Sequence, residues 1–276
     1  MSKKYIAFSW FNEVELLELK LNQYYDFFDG IIISEGSKTQ SNLSKPFFLE
    51  ENKQKFKKYW DKIIHLQVKD GDWPEMDSTG WTNDVFQRNF LSTANNLINL
   101  QNDDIIGYED ADEICAKSEL ERHLPNLTDI LVFSAPYHVY YLNLAVTGRQ
   151  WNSTVFVRGS VAKQYTPQQI IKLRDNPPAK IVRYSPENIH AGYQFGMENV
   201  LNKYKSCVEP FDKINGIPVK EHFEQVWKES ARPDGNFIFC DNLDNKSLHL
   251  SKIDDNRLPT MIQNKLPEWE NWMWRE

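Results

Sequence analysis

Asp110 and Asp112 stand one residue apart in Gly107-Tyr108-Glu109-Asp110-Ala111-Asp112-Glu113-Ile114, directly after the apolar pair Ile105-Ile106. In an extended segment, residues i and i+2 point to the same face. Two carboxylates at the end of a short strand can therefore converge on one divalent cation. A hard cation held this way keeps open positions for phosphate oxygens, a geometry suited to a sugar joined to a diphosphate. The plainer reading of a lone D-x-D is a solvated acidic turn that closes a strand.

Three further segments carry residue types that could work beside such a cation. Trp10-Phe11-Asn12-Glu13 stands where a helix should begin. Its backbone amides and the Asn12 side chain could hold a base or a phosphate, or Asn12 could simply cap the helix. Gly80-Trp81-Thr82-Asn83-Asp84 is followed by Arg88. A guanidinium suits diphosphate recognition, but Arg88 could equally pair with Asp84 across one helical turn. Asn188-Ile189-His190-Ala191-Gly192-Tyr193-Gln194-Phe195-Gly196 places a histidine beside glycines. His190 could be a third metal ligand, a general base or a satisfied structural residue.

The elements that must position these segments follow from periodicity. Short apolar runs predict strands at 4–9, 31–33, 62–68 and 104–108. Between them, apolar spacing predicts helices at 13–25, 50–60 and 82–100, the last with Thr82 as its cap, and a loop at 70–80. Alternating strands and helices predict an α/β fold with a mostly parallel, twisted sheet flanked by helices. Ligands of such sheets bind outside the carboxyl ends of the strands, and segments 10–13, 35–39 and 109–113 all fall at such ends. Beyond 130–135 the pattern loosens, with strands expected at 137–143, 154–158 and 181–184 and helices at 166–174 and 198–206. Residues 1–235 read as one catalytic-type domain. Residues 236–276 read as an irregular C-terminal extension that packs back on it, Trp269, Trp272 and Trp274 included.

Bulk properties bound the function. The chain has 276 residues, 41% of them hydrophobic and 26% charged, enough for a sizeable core. A net charge of -7 gives no general attraction to nucleic acid or anionic membranes. The aromatic side chains, 9 Trp, 12 Tyr and 16 Phe, can stack on sugars and bases or fill a core. Cys115, Cys207 and Cys240 are far apart and odd in number, which fits a reducing compartment. The apolar start is too short for a signal peptide, and no segment reaches the length of a membrane span. A soluble, cytoplasmic protein is expected.

Taken in order, these motifs resemble glycosyltransferase family 17, the β-1,4-mannosyl-glycoprotein β-1,4-N-acetylglucosaminyltransferases. Phe11-Asn12-Glu13 with Leu16-Leu17 matches the family's opening motif, and Ser34-Glu35 with Thr39 resembles its E-S-N-x-T segment. Gly80-Trp81 with Asp84 and Arg88, and Asp110-Ala111-Asp112-Glu113-Ile114, resemble its two acidic segments. His190, Phe195 and Lys203 fall where the family has a late His, an aromatic and a Lys, and Leu258-Pro259 with Asn264 is similar to its C-terminal motif. Cys115 stands where the family has proline, and Ile189 and Gly192 flank His190 in place of Trp and Ser.

The resemblance implies a GT-A-like fold and a metal-dependent, inverting glycosyltransferase. GlcNAc or another hexose would move from a nucleotide-diphosphate donor, a UDP-sugar first, to a glycan-type acceptor. Asp110 and Asp112, with His190 as a third candidate, would hold Mn2+ or Mg2+. Phe11, Asn12, Glu13, Glu35, Trp81 and Arg88 would contact the donor. Inversion requires a base, and Asp84, Glu113 and His190 are its candidates. Two alternatives stay open. One keeps the chemistry but uses a lipid, protein or modified-DNA acceptor, although the charge disfavours nucleic acid. The other is a sugar-nucleotide-binding module without turnover.

Overall fold

A computed structural model describes residues 2–75, 81–192, 194, 196–206, 213–214, 217–237 and 248–275. Gly80, Phe195, Cys207 and Cys240, singled out above, lie outside the described residues.

The strands are β1 (Lys4–Ser9), β2 (Gly30–Gly36), β3 (Ile63–Val68), β4 (Ile105–Asp110), β5 (Glu113–Ile114), β6 (Ile130–Val139), β7 (Leu144–Arg158), β8 (Val182–Tyr184) and β9 (Ile189–Gly192). Four short strands follow: β10 (Lys213–Ile214), β11 (Ile217–Pro218), β12 (Asn236–Phe237) and β13 (Leu248–Lys252). One sheet runs in the order β3-β2-β1-β4-β7-β6-β9-β5, with β8 added on β6 and β13 on β7. The four strands β3, β2, β1 and β4 are parallel. Beyond β4 the pairing is mixed, with β7 antiparallel to β4, β6 and β13.

The parallel half is apolar on both faces, which is why it reads as unbroken apolar runs. Ile6 and Phe8 point into one core with Ile31 and Ile33, while Tyr5 and Ala7 point into the other with Ile32. The first core is covered by the Val14–Tyr24 helix through Leu16, Leu17 and Leu21, and by the chain's far end through Leu258, Met261, Ile262 and Trp269. The second is covered by Leu91, Ala94, Ile170 and Ile171. The helices thus lie on both faces, and the segments that leave β1, β2 and β4 emerge together at the carboxyl edge of the sheet. Trp272 packs against the first core and Trp274 against a third cluster around Tyr137 and Leu144.

Three local expectations change. The helix expected at 50–60 is instead a short Phe48–Glu51 helix and a 3-10 turn at Lys57–Tyr59. Only Leu49, Phe56 and Tyr59 of this stretch are buried, and the like charges of Lys53 and Lys57 one turn apart oppose a continuous helix. The helix expected at 82–100 is Thr82–Phe90 continued by a 3-10 turn and Ala94–Leu97, and its cap position is Trp81 rather than Thr82. The strand expected at 137–143 instead begins at Ile130 and ends at Val139 as β6, carried through register shifts at Val132/Ser134 and Pro136/His138, and residues 140–143 turn into β7. Among the described residues, no helix is long and apolar enough to cross a membrane.

Candidate active site

A cleft of about 290 Å³ opens over the carboxyl ends of β1, β2 and β4, and Phe11, Glu13, Trp81, Asp84, Arg88, Asp110, Asp112 and His190 all line it. The Thr82–Phe90 helix is pinned over these ends through Gln87. Its Nε2 donates to the Ser34 carbonyl at 2.9 Å, and Ser34 Oγ donates to the Gln87 carbonyl at 2.9 Å. That anchor sets where Asp84 and Arg88 project.

Asp110 and Asp112 do not share partners. Strand β4 ends at Asp110 and the chain turns at Ala111-Asp112, so the alternation that would align the two carboxylates stops one residue early. Asp110 is gripped by two arginines, with Arg88 Nη1 on Oδ1 and Arg174 Nη2 on Oδ2, both at 2.6 Å. Burial would raise this carboxyl, but the two guanidinium charges hold it well below the usual carboxylate range. Asp112 instead has Lys203 Nζ at 2.5 Å from Oδ2 and His190 Nε2 at 3.8 Å from Oδ1. Burial opposes its charge too, and Lys203 and His190 still bring its pKa below normal.

The pairing of β5 with β9 is what brings His190 here. Glu113 lies opposite His190, and the Ala191 N–H donates to the Asp112 carbonyl at 2.8 Å. The imidazole stacks against both Tyr137 and Trp151, with each ring centroid 4.4 Å away and the two aromatic rings 5.4 Å from each other. Burial pushes its pKa down to about 4, so the ring is neutral at pH 7. Its Nδ1 is buried without a hydrogen-bond partner.

Glu113 does not face the cleft. It is wholly buried, and its oxygens accept from Arg174 Nη1 at 2.9 Å, Trp151 Nε1 at 2.8 Å and the Asp110 N–H at 2.8 Å. Burial pushes its pKa up to about 7, against Arg174. A carboxylate with its acceptor sites filled and no exposure cannot reach an acceptor hydroxyl, so Glu113 shapes the turn instead. Asp84 does line the cleft, held by Gln40 Nε2 at 2.6 Å and Arg88 Nη2 at 3.2 Å.

At the other end of the cleft, Phe11, Thr39 and Lys45 form the wall. Glu35 turns away from it. Its carboxylate accepts from the Phe48 and Leu49 amides at 2.6 and 3.2 Å, and from Lys45 and His65, so it fixes the chain beyond the loop. Asn12 does not cap the first helix; Glu13 occupies the cap position, and its Oε2 takes the Phe11 and Asn12 amides at 3.4 and 3.2 Å. Asn12 lines a smaller adjoining pocket of about 40 Å³.

Sequence reasoning missed Arg174 and the Tyr137/Trp151 stack. It also missed the layer beneath the acidic turn. There, fully buried Lys20 donates to the Asp110 carbonyl at 2.9 Å and pairs with buried Glu109 at 2.7 Å. Glu109 in turn accepts from Tyr24 and Thr154.

Can these residues hold a divalent ion? Among the described residues, no three His, Cys, Asp or Glu side chains gather as a ready-made cage. A two-ligand site does fit. Asp112 Oδ1 and the neutral His190 Nε2 stand 3.8 Å apart on the cleft wall, a spacing two ligands of one hard or borderline ion can share.

The family model described as Glycosyltransferase family 17 matches residues 3–172. No curated protein matches the sequence. Among solved structures, the chain is similar to 4-diphosphocytidyl-2C-methyl-D-erythritol synthase at 13% identity, covering 67% of this chain and 89% of that one, with a TM-score of 0.39. It is similar to residues 1–349 of S. aureus TarS at 12% identity, covering 81% and 69%, with a TM-score of 0.39. The glycosyltransferase GlyE of Streptococcus pneumoniae TIGR4 is similar at 11% identity over 64% of this chain and 40% of that one, with a TM-score of 0.31.

Proposed function

The chain belongs to glycosyltransferase family 17 and is a glycosyltransferase; from that premise we propose that it transfers a hexose, GlcNAc first, from a UDP-sugar to a glycan-type acceptor, with inversion and with a divalent ion. The observation that carries the metal reading is the Asp112–His190 pair, with its neutral, stacked imidazole. Asp112 and His190 would hold Mn2+ or Mg2+, and the bound ion would supply Lewis-acid stabilisation of charge on the leaving diphosphate.

The chain's own residues do the rest. Phe11 and Lys45 bound the base, and the Lys45 ammonium, set by Glu35, suits a keto oxygen of uracil. Arg88 and Arg174 act through Asp110, which fixes the turn that carries Asp112. Of the three base candidates, Glu113 lies off the cleft and His190 is committed to the ion, whereas Asp84 lines the cleft, so Asp84 is assigned the proton. The acceptor hydroxyl oxygen bonds to the anomeric carbon as the carbon–oxygen bond to the diphosphate breaks, and the hydroxyl proton passes to Asp84.

The test is a donor screen by thermal shift with and without Mn2+, since a ligand of the native state raises the melting temperature by mass action. A shift with UDP-sugars that requires Mn2+ is expected. Asp84→Asn should keep that shift and lose about 10²–10⁴ in transfer rate. Transfer at the wild-type rate by Asp84→Asn would reject the base. An α-linked product from an α-linked donor would reject inversion.

A further inference from the structure

Lys203 is out of place for a purely structural ion pair. It reaches Asp112 from the Met197–Ser206 helix, and its side chain is 31% exposed on the walls of both the main cleft and the adjoining pocket. The helix itself is fixed. Val200, Leu201 and Tyr204 pack against Val219 and Phe223, and the Lys205 and Ser206 carbonyls accept from Ser41. A fixed backbone with a long, partly open side chain leaves the ammonium able to change partners while its root stays still. The other cations near the turn are differently placed: Arg88 bridges Asp84 and Asp110, Arg174 bridges Asp110 and Glu113, and Lys20 is fully buried on Glu109 and the Asp110 carbonyl.

We propose that Lys203 serves two partners in turn: it neutralises Asp112 while the divalent ion is absent, and it moves to the donor's phosphates when the ion takes Asp112. This rests on the metal reading given above. The carboxylate that would hold the ion is the one Lys203 occupies at 2.5 Å, so ammonium and ion compete for one charge. The displaced ammonium is tethered on the wall of the cleft that receives the diphosphate. Lys203 therefore weakens ion binding on its own and strengthens donor binding once the ion is in place, two effects of opposite sign from one side chain.

The experiment uses the full chain. Mn2+ binding without nucleotide is followed by electron paramagnetic resonance for wild type, Lys203→Met, Lys203→Arg and Asp112→Asn. Binding of uridine diphosphate is then measured by calorimetry at saturating Mn2+. Lys203→Met should bind Mn2+ about fivefold tighter, the scale of losing a half-open ion pair, and uridine diphosphate about fivefold weaker. Lys203→Arg should stay near wild type in both, which separates lost charge from a damaged helix. Mn2+ binding that depends on Asp112 but is unchanged or weaker in Lys203→Met would overturn the exchange and leave the metal reading standing. Mn2+ binding that is the same in Asp112→Asn and wild type would overturn both.

Discussion

At the scale of single residues, Asp110 and Asp112 look interchangeable in the sequence and are not. Asp110 is the anion of a buried charge cluster, whereas Asp112 faces a lysine and a histidine on the cleft wall. Asp110→Asn leaves Arg88 and Arg174 with one carboxylate fewer. It should lower stability by about 2 kcal/mol, less than a fully buried break because the Asp110 side chain is 28% exposed. Asp112→Asn should cost less stability, although its side chain is only 11% exposed, because the 31% exposed Lys203 can turn to solvent where the buried arginines cannot, and it should abolish the Mn2+-dependent thermal shift. Urea unfolding and thermal shift together check the split, and equal stability losses in the two variants would contradict it. The acidic motif itself was legible because its residue types are rare in combination. Arg174 was not: four acids so close demand positive partners, but nothing in the sequence says which arginine supplies them.

At the scale of elements, the decisive contact is β5 against β9. Two residues of strand suffice to set Glu113 opposite His190 and so to put the imidazole beside Asp112. Gly192 closes β9, and a Cβ there would meet Tyr137 Cε2 at 2.8 Å. Tyr137 is one of the two rings that stack on His190. Gly192→Ala should therefore push Tyr137 and disturb the imidazole, lowering transfer about tenfold or more while costing roughly 1–3 kcal/mol of stability, the usual range for overpacking. Steady-state rates beside urea unfolding would show it; unchanged turnover would mean the stack does not position His190. β1 and β3 were read nearly to their ends, but β2 only at 31–33 and β4 only to 108, because Ser34, Glu35, Glu109 and Asp110 break the apolar runs while the strands continue. β7 was read only at 154–158. Its middle, around Thr147, Gly148 and Gln150, is exposed and polar, and its extension rests on pairing with β6, which no local pattern announces.

At the scale of the whole molecule, buried histidines set the acid limit. His138 on β6 is fully buried, its Nδ1 bonded to the Leu142 carbonyl at 2.8 Å, and burial pushes its pKa down to about 4. A histidine depressed from about 6.5 contributes stability that is full above pH 6.5 and is lost as pH falls through 4, because the unfolded chain takes the proton first. His190 shifts in the same direction. The raised Glu113 works oppositely, losing stability as pH rises from 4.5 through about 7, so the comparison must be with a variant. The stability gap between wild type and His138→Gln should shrink by about 2–3 kcal/mol between pH 7.5 and pH 4.5 in urea unfolding. A gap that stays constant across that range would show His138 to be solvated. The overall α/β plan was legible from the alternation of apolar runs, while the closure of the far half of the sheet depends on contacts distant in sequence.

That closure also fixes an order of assembly on the ribosome. Strands β1 to β4 can pair once residue 110 has emerged, but β5 has no partner until β9 is made. For most of that interval the nascent chain carries Asp84, Asp110, Asp112 and Glu113 with Arg88 before Arg174 is made, and for all of it before His190 or Lys203 is made. Pairings that wait on distant segments form late. The wall beside Asp112 is thus among the last pieces to be built, and a chain released between Ile114 and His190 holds the acidic turn without the His190 and Lys203 that face Asp112.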